Sequence, residues 1–273
     1  MRTAVPAALL LQATVYELKK VTAWRVGFLV REIARSLLRP LLTIFLFQAV
    51  FAAQGAEQLG GRNLDGTVRY LIAVAWIEGL IFHDRMLDLA EQIFQGYVTK
   101  YLVMPVRCFT LALARFLQFS VTQTAVAALL GAGGALAFSG LWPLPVSPLA
   151  LIVSLLLALC GSYCFLLLYF TINALAFWLE VVWTLLVMTR FVTLFLAGAM
   201  LPLSWMPAEL ARALEYGFPY WSIAGPAQIL LGERPLSDAW TGFAVIGASI
   251  LLLELLRREV WRRGLARYGG SGM

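Results

Sequence analysis

Charge is what this sequence lacks most. Of its 273 residues only 13% are Asp, Glu, Lys or Arg, against roughly 25% in soluble domains. Histidine occurs once, at His83, and the three cysteines, Cys108, Cys160 and Cys164, all lie in apolar stretches. There is no HExxH helix and no CxxC pair, so the spacings of a zinc site or a redox motif are missing, and the thiols are expected to be buried and free. No GxxxxGK[ST] phosphate loop occurs, which rules out ATP binding of that kind, and no GxSxG elbow offers a nucleophile. Lysine is found only at Lys19, Lys20 and Lys100, outside the apolar runs, and aspartate is missing from the interior of those runs. The chain is therefore expected to be no enzyme and to hold no cofactor of its own.

What is abundant is apolar surface. Hydrophobic residues make up 61% of the chain and the mean hydropathy is +0.82. A bilayer crossing takes about 20 apolar residues. The sequence reads as one all-α integral membrane domain over residues 1–273, with spans at about 26–53, 67–82, 108–138, 148–175, 182–203 and 240–256. No strand pattern, heptad run or internal repeat is evident. Residues 1–25 mix Lys19, Lys20 and Arg25 with apolar residues and read as an interfacial helix, retained because no small-residue cleavage site follows the first apolar run. The first span carries Arg31, Glu32, Arg35 and Arg39. The arginines are four apart and share one face, with Glu32 placed to pair with Arg35. That stripe either binds an anionic group or snorkels to the interface. Glu78, Arg115, Arg190 and Glu254 lie within or at the ends of later spans, as pathway groups or as structural pairs. A small-residue patch at 131–137 suits close helix packing.

Residues 85–106, RMLDLAEQIFQGYVTKYLVMPV, sit between two apolar segments without being apolar themselves. Met86, Leu89, Ala90, Ile93, Phe94 and Tyr97 recur at helical spacing, while Asp84, Asp88, Glu91, Gln92 and Gln95 fall on the other face. This is an amphipathic surface helix, ended by Gly96 and followed by Pro105 at the start of the next helix. It is either a handle for a partner outside the membrane or a purely stabilising interfacial element. Residues 204–239 form the longest non-spanning stretch, a re-entrant or short-helix segment. There Trp205, Tyr216, Tyr220 and Trp221 suit the headgroup level or a lid over an exit.

The net charge of +6 is a matter of topology, not of nucleic-acid binding. With both termini inside, the inner side receives Arg2, Lys19, Lys20, Arg25, Arg85, Lys100, Arg107, Arg257, Arg258, Arg262, Arg263 and Arg267. The outer side receives only Arg62, Arg69, Arg212 and Arg234, and this bias sets the orientation. Residues 85–106 then face the cytoplasm.

The run through Ile93, Gly96, Tyr101 and Pro105 resembles the cytoplasmic segment of ABC-2 type exporter permeases. A second stretch is similar to the same family's outer segment: Phe195, Gly198 and Pro202, then Met206-Pro207, Phe218-Pro219, Pro226 and Gly232. Trp24-Arg25 and the C-terminal Trp261, Gly264 and Tyr268 are similar to one bacterial subgroup. The order of these weak motifs along most of the chain carries the resemblance. It implies a six-span half-transporter of the bacterial inner membrane, pairing with a second permease, identical or paralogous. Separate ATPase subunits would bind ATP and Mg. It also implies that 85–106 is a coupling helix, with Asp88, Glu91, Gln92, Gln95, Gly96 and Lys100 against the ATPase. The charge of the first span exceeds the family pattern. On this reading the chain helps move a hydrophobic or lipid-like substrate, in contact with membrane lipids. The competing readings are an ion-coupled transporter using Glu78 or Glu254, and a membrane anchor that only recruits a cytoplasmic partner.

Overall fold

The structure, a computed structural model, describes residues 7–22, 25–55, 58–59, 61–82, 88–104, 106–137 and 147–268. Within these, side chains are left undescribed at 7–9, 21–22, 25–26, 28–29, 31–33, 35–37, 39–40, 59, 102 and 129–137. The four charged side chains of the first span (Arg31, Glu32, Arg35 and Arg39) and the small-residue patch fall there, as do His83, Asp84, Arg85, Met86 and Pro105 among the fully undescribed positions. Those expectations lie outside the described residues.

Helices dominate: α1 (Ala7–Thr22), α2 (Arg25–Gln54), α3 (Leu64–Ile81), α4 (Asp88–Phe94), α5 (Val98–Val103), α6 (Cys108–Ala137), α7 (Pro148–Ala174), α8 (Trp183–Leu196), α9 (Ala208–Leu214), α10 (Phe218–Ser222), α11 (Ala224–Leu230) and α12 (Ala239–Arg267). One two-residue hairpin, β1 (Gln58–Leu59) with β2 (Arg62–Asn63), precedes α3. Among the described residues two helical stretches are long and apolar enough to cross a membrane, Pro148–Phe177 and Leu236–Arg267; Leu41–Gln54 and Trp183–Leu196 are shorter apolar helices.

The hub is α7. It is apolar on every side, as suits a helix of a protein core or a membrane span, and half of its most apolar stretch is buried within the chain. Helices α3, α6, α8, α10, α11 and α12 pack around it, and Leu157, Ala158, Phe165 and Leu167 on it are fully buried. Helix α1 lies along α6, and α2 along α3.

Two boundaries differ from the sequence reading. Helix α8 stops at Leu196, not near 203. Gly198 there takes a left-handed φ of 70°; its N–H donates to the Phe195 carbonyl, and the Ala199 N–H to the Leu194 carbonyl. This paired glycine stop satisfies the last carbonyls of the helix. Tyr70 of α3 secures it, its hydroxyl donating to the Gly198 carbonyl at 3.0 Å. Helix α12, in contrast, runs eleven residues past the expected end at 256, to Arg267. At 1.5 Å per residue its 29 residues measure about 43 Å, well beyond the ~30 Å hydrocarbon core.

The segment after α8 is also placed differently. Tyr220 and Trp221 do not form an exposed aromatic surface. Both are buried in the core, between α7 and α12. Small residues make the room: a Cβ on Gly225 or Gly242 would come within 2.7 Å of the Trp221 ring, and one on Gly161 within 2.8 Å of the Ser222 backbone. The indole N–H donates to the Glu215 carbonyl at 2.7 Å, so the buried ring keeps its polar bond. Tyr216, by contrast, is 84% exposed.

Candidate functional site

Helices α4 and α5 form a short elbow against the ends of α7 and α12. Gly96 makes the turn at a φ of 77°, a left-handed conformation that costs an ordinary residue about 1–2 kcal/mol. The Tyr268 hydroxyl donates to the Gly96 carbonyl at 2.8 Å and lies 3.0 Å from the Thr99 hydroxyl. At the other end of α4 the backbone N–H of Ala90, one of the donors a helix start leaves without an internal partner, donates to Oδ1 of Asn173 at 2.8 Å. Nδ2 of Asn173 donates in turn to the Tyr169 carbonyl. A side chain from α7 thus caps α4.

Between these two ties lies a small apolar core, with Ile93 and Val98 packed on Ala174 and Phe177, and with Trp261, Leu265 and Tyr268 of the α12 end around them. Gly264 is where α12 meets Phe177: a Cβ there would come within 2.1 Å of the ring. Trp261 and Tyr268 both meet the Phe177 ring edge-on.

The outward face of the elbow carries Asp88, Glu91, Gln95 and Lys100, all exposed, with Gln95 Nε2 donating to Glu91 Oε1 at 2.8 Å. Gln92 does not belong to that face. It accepts from the Tyr101 hydroxyl at 2.5 Å and, with Arg115, Tyr169 and Asn173, lines a cavity of about 40 Å³ behind the elbow, room for roughly one or two water molecules. The expected apolar stripe is also corrected. Ala90 and Ile93 are buried, but Phe94 and Tyr97 are 47% and 60% exposed. They share the outward side with Glu91 because the inner side is already filled by Phe177 and Ala174. The outward face is therefore mixed, acidic and aromatic.

Of the other polar residues singled out in the sequence whose side chains are described, Arg115 reaches the cavity behind the elbow, whereas Glu78, Arg190 and Glu254 are not among its lining residues. Arg115 pairs with Glu17 of α1 at 3.5 Å. Arg190 lies 5.2 Å from the centre of the Phe82 ring, and Glu78 is buried on α3. Glu254 bonds Arg257 and Arg258 of its own helix.

A polar cluster on the opposite side was missed by sequence reasoning. Arg234 bonds Glu215 at 2.9 Å, Asp238 at 3.0 Å and the Tyr220 hydroxyl at 2.5 Å, joining the two ends of the buried segment. Next to it Glu233 pairs with Arg62 of the hairpin, whose guanidinium lies 4.2 Å from the centre of the Tyr70 ring. Burial raises the Glu233 carboxyl above its ordinary range, with Arg62 pulling it back. The only hint in the sequence is the density of charge at Glu233, Arg234 and Asp238 in an apolar chain.

None of the curated proteins compared with this chain matches it. A protein-family model described as "ABC-2 family transporter protein" matches residues 37–272, a stretch that runs from α2 through the elbow and the buried α10–α11 segment to the end of α12. On that match the chain belongs to the ABC-2 family of transporter proteins, as a multi-pass membrane permease of an ABC transporter.

Proposed function

We propose that this permease is the membrane half of an ATP-driven exporter of the bacterial inner membrane, with six spans and both termini in the cytoplasm. Its elbow is the docking site for an ABC ATPase subunit. Two permeases, identical or paralogous, enclose the pathway, and the ATPases bind the ATP and Mg that drive it. The permease itself catalyses nothing. The substrate is hydrophobic or lipid-like, in keeping with the scarcity of charge along the chain.

The observation that carries this reading is the build of the elbow. Its inner side is tied to α7 through Asn173 and to α12 through Tyr268, the helices of the two stretches among the described residues that are long and apolar enough to cross a membrane. Its outer side presents Glu91, Phe94, Gln95 and Tyr97. Force applied to that face by a partner would pass into both helices rather than into a loose loop. A partner can shift the permease between states only by contacting them differently, and a rigidly tied elbow is suited to that.

Co-purification of the tagged protein from its native membrane, followed by an ATP-hydrolysis assay, tests the reading. Recovery of an ATPase that Glu91→Arg releases or uncouples is the expected result. Absence of any ATPase in mild detergent, together with substrate transport that continues without ATP and is lost in Glu78→Gln, would replace the exporter by an ion-coupled transporter.

A further inference from the structure

Two rows of residues run down the outward side of α12. One contains Leu251, Leu255, Arg258 and Arg262, the other Leu252, Leu256, Glu259 and Arg263. Their spacing of four, three and four keeps each row on one face of a helix. The leucines are 47–70% exposed, and in a membrane protein an exposed leucine face meets lipid tails. The same face then turns charged within one helical turn, and Arg258, Arg262 and Arg263 are 68%, 77% and 73% exposed. The helix continues past the expected hydrocarbon edge without a break, so these arginines stand directly below the leucines, at headgroup depth.

Their charge is only partly met within the chain. Residues 254–268 hold five arginines against two glutamates. Arg258 bonds Glu254 through Nε, Arg262 bonds Glu259 through Nη2, and Arg263 bonds Glu259 through Nε. Each guanidinium carries five N–H donors in a planar fork, so several donors per arginine remain for phosphate oxygens, which match that fork. Two glutamates shared among these arginines hold the forks in place along the face.

We propose that this face of α12 binds the headgroups of acidic phospholipids in the cytoplasmic leaflet, an inference that rests on the orientation proposed above. The opposite face of the same turns carries Trp261, Gly264 and Tyr268, which hold the α4–α5 elbow. The end of α12 is thus clamped between lipid phosphate on one side and the elbow on the other. Acidic lipid steadies the elbow, and its removal loosens it.

The test uses the full-length permease alone, purified in detergent, with phosphatidylglycerol or phosphatidylcholine added and retained lipid counted by native mass spectrometry. Wild type is expected to retain phosphatidylglycerol at least tenfold more strongly than phosphatidylcholine. A surface arginine contributes about fivefold to binding an acidic membrane. Arg262→Gln alone should therefore lower retention severalfold, and the Arg258→Gln/Arg262→Gln/Arg263→Gln variant should abolish the preference. An unchanged melting temperature of these variants in phosphatidylcholine shows that the fold is intact. Equal retention of the two lipids by wild type, or unchanged retention by the triple variant, overturns the proposal. So does a triple variant that keeps its lipid in this assay but, when co-purified from its native membrane, no longer brings down a second permease or an ATPase that wild type retains, since the face then belongs to a protein partner. No ATPase or transport is needed for the measurement. A permease that prefers phosphatidylglycerol but recruits no ATPase leaves this inference standing and removes the exporter reading.

Discussion

The hydroxyl of Tyr268 donates to the carbonyl of Gly96 at 2.8 Å, joining residues 172 positions apart. The first residue after α12 thereby holds the one left-handed turn of the elbow, and Thr99 shares the contact. Tyr268→Phe keeps the ring on Phe177 and removes only the oxygen. The expected loss is about 1 kcal/mol, the net worth of a hydrogen bond. Hydrogen exchange at residues 95–100 should quicken while exchange in the middle of α7 stays unchanged. Equal protection in the two proteins would show that the tie carries no weight.

Asn173→Leu fills a similar volume but leaves the Ala90 N–H without its acceptor. A buried donor left unpaired costs about 1–3 kcal/mol. Thermal unfolding in detergent should show a lowered midpoint, with α4 the first segment exposed to protease. A variant as stable as wild type, with α4 still protected, would mean that α4 needs no cap from α7.

Gly264→Ala places a methyl group where the Phe177 ring already stands. Overpacking of this kind costs roughly 1–3 kcal/mol. Phe177→Leu gives the methyl room, so the double variant should recover part of the loss, a coupling that a double-mutant cycle reads directly. Strictly additive losses would argue that the ring moves aside freely.

Glu233 provides a pH signature. Burial is the larger influence on its carboxyl and raises it, with the Arg62 guanidinium acting against that rise. The folded protein then holds this proton more tightly than the unfolded chain. Its contribution to stability is complete below the ordinary glutamate value of about 4.3 and is lost as pH rises through the raised folded value. Glu233→Gln should remove that downward slope. Melting temperatures measured from about pH 4 to 7 should fall less steeply in the variant than in wild type, and identical slopes would count against the assignment.

Much of the helical layout was legible because apolar run length and local backbone chemistry are local properties. Gly96 and Gly198 end helices by what glycine alone tolerates, and the first of these was read directly. Gly198 was passed over because the apolar run continues beyond it; only the Tyr70 hydroxyl and the Leu203 side chain at that spot show that the chain must turn. The far end of α12 was hidden for the opposite reason, since arginines signal a membrane exit and say nothing about whether the helix continues.

Periodicity made an amphipathic helix of residues 88–94, but it could not say where its apolar stripe would point. Phe94 and Tyr97 fit a buried stripe as well as Ile93 does. The choice among them came from the space left by Phe177, Ala174 and Trp261, residues more than 75 positions further along. Trp221 is a similar case: tryptophan suits a membrane surface, and only Gly225 and Gly242 facing its ring make a core position for it. By itself, then, the sequence determined a helical membrane chain, its polar elbow and the family it belongs to, because hydropathy and glycine stops act within a few residues. The tertiary structure alone decided which face of the elbow is exposed and which is bound to α7 and α12, because packing depends on shapes brought together from distant parts of the chain.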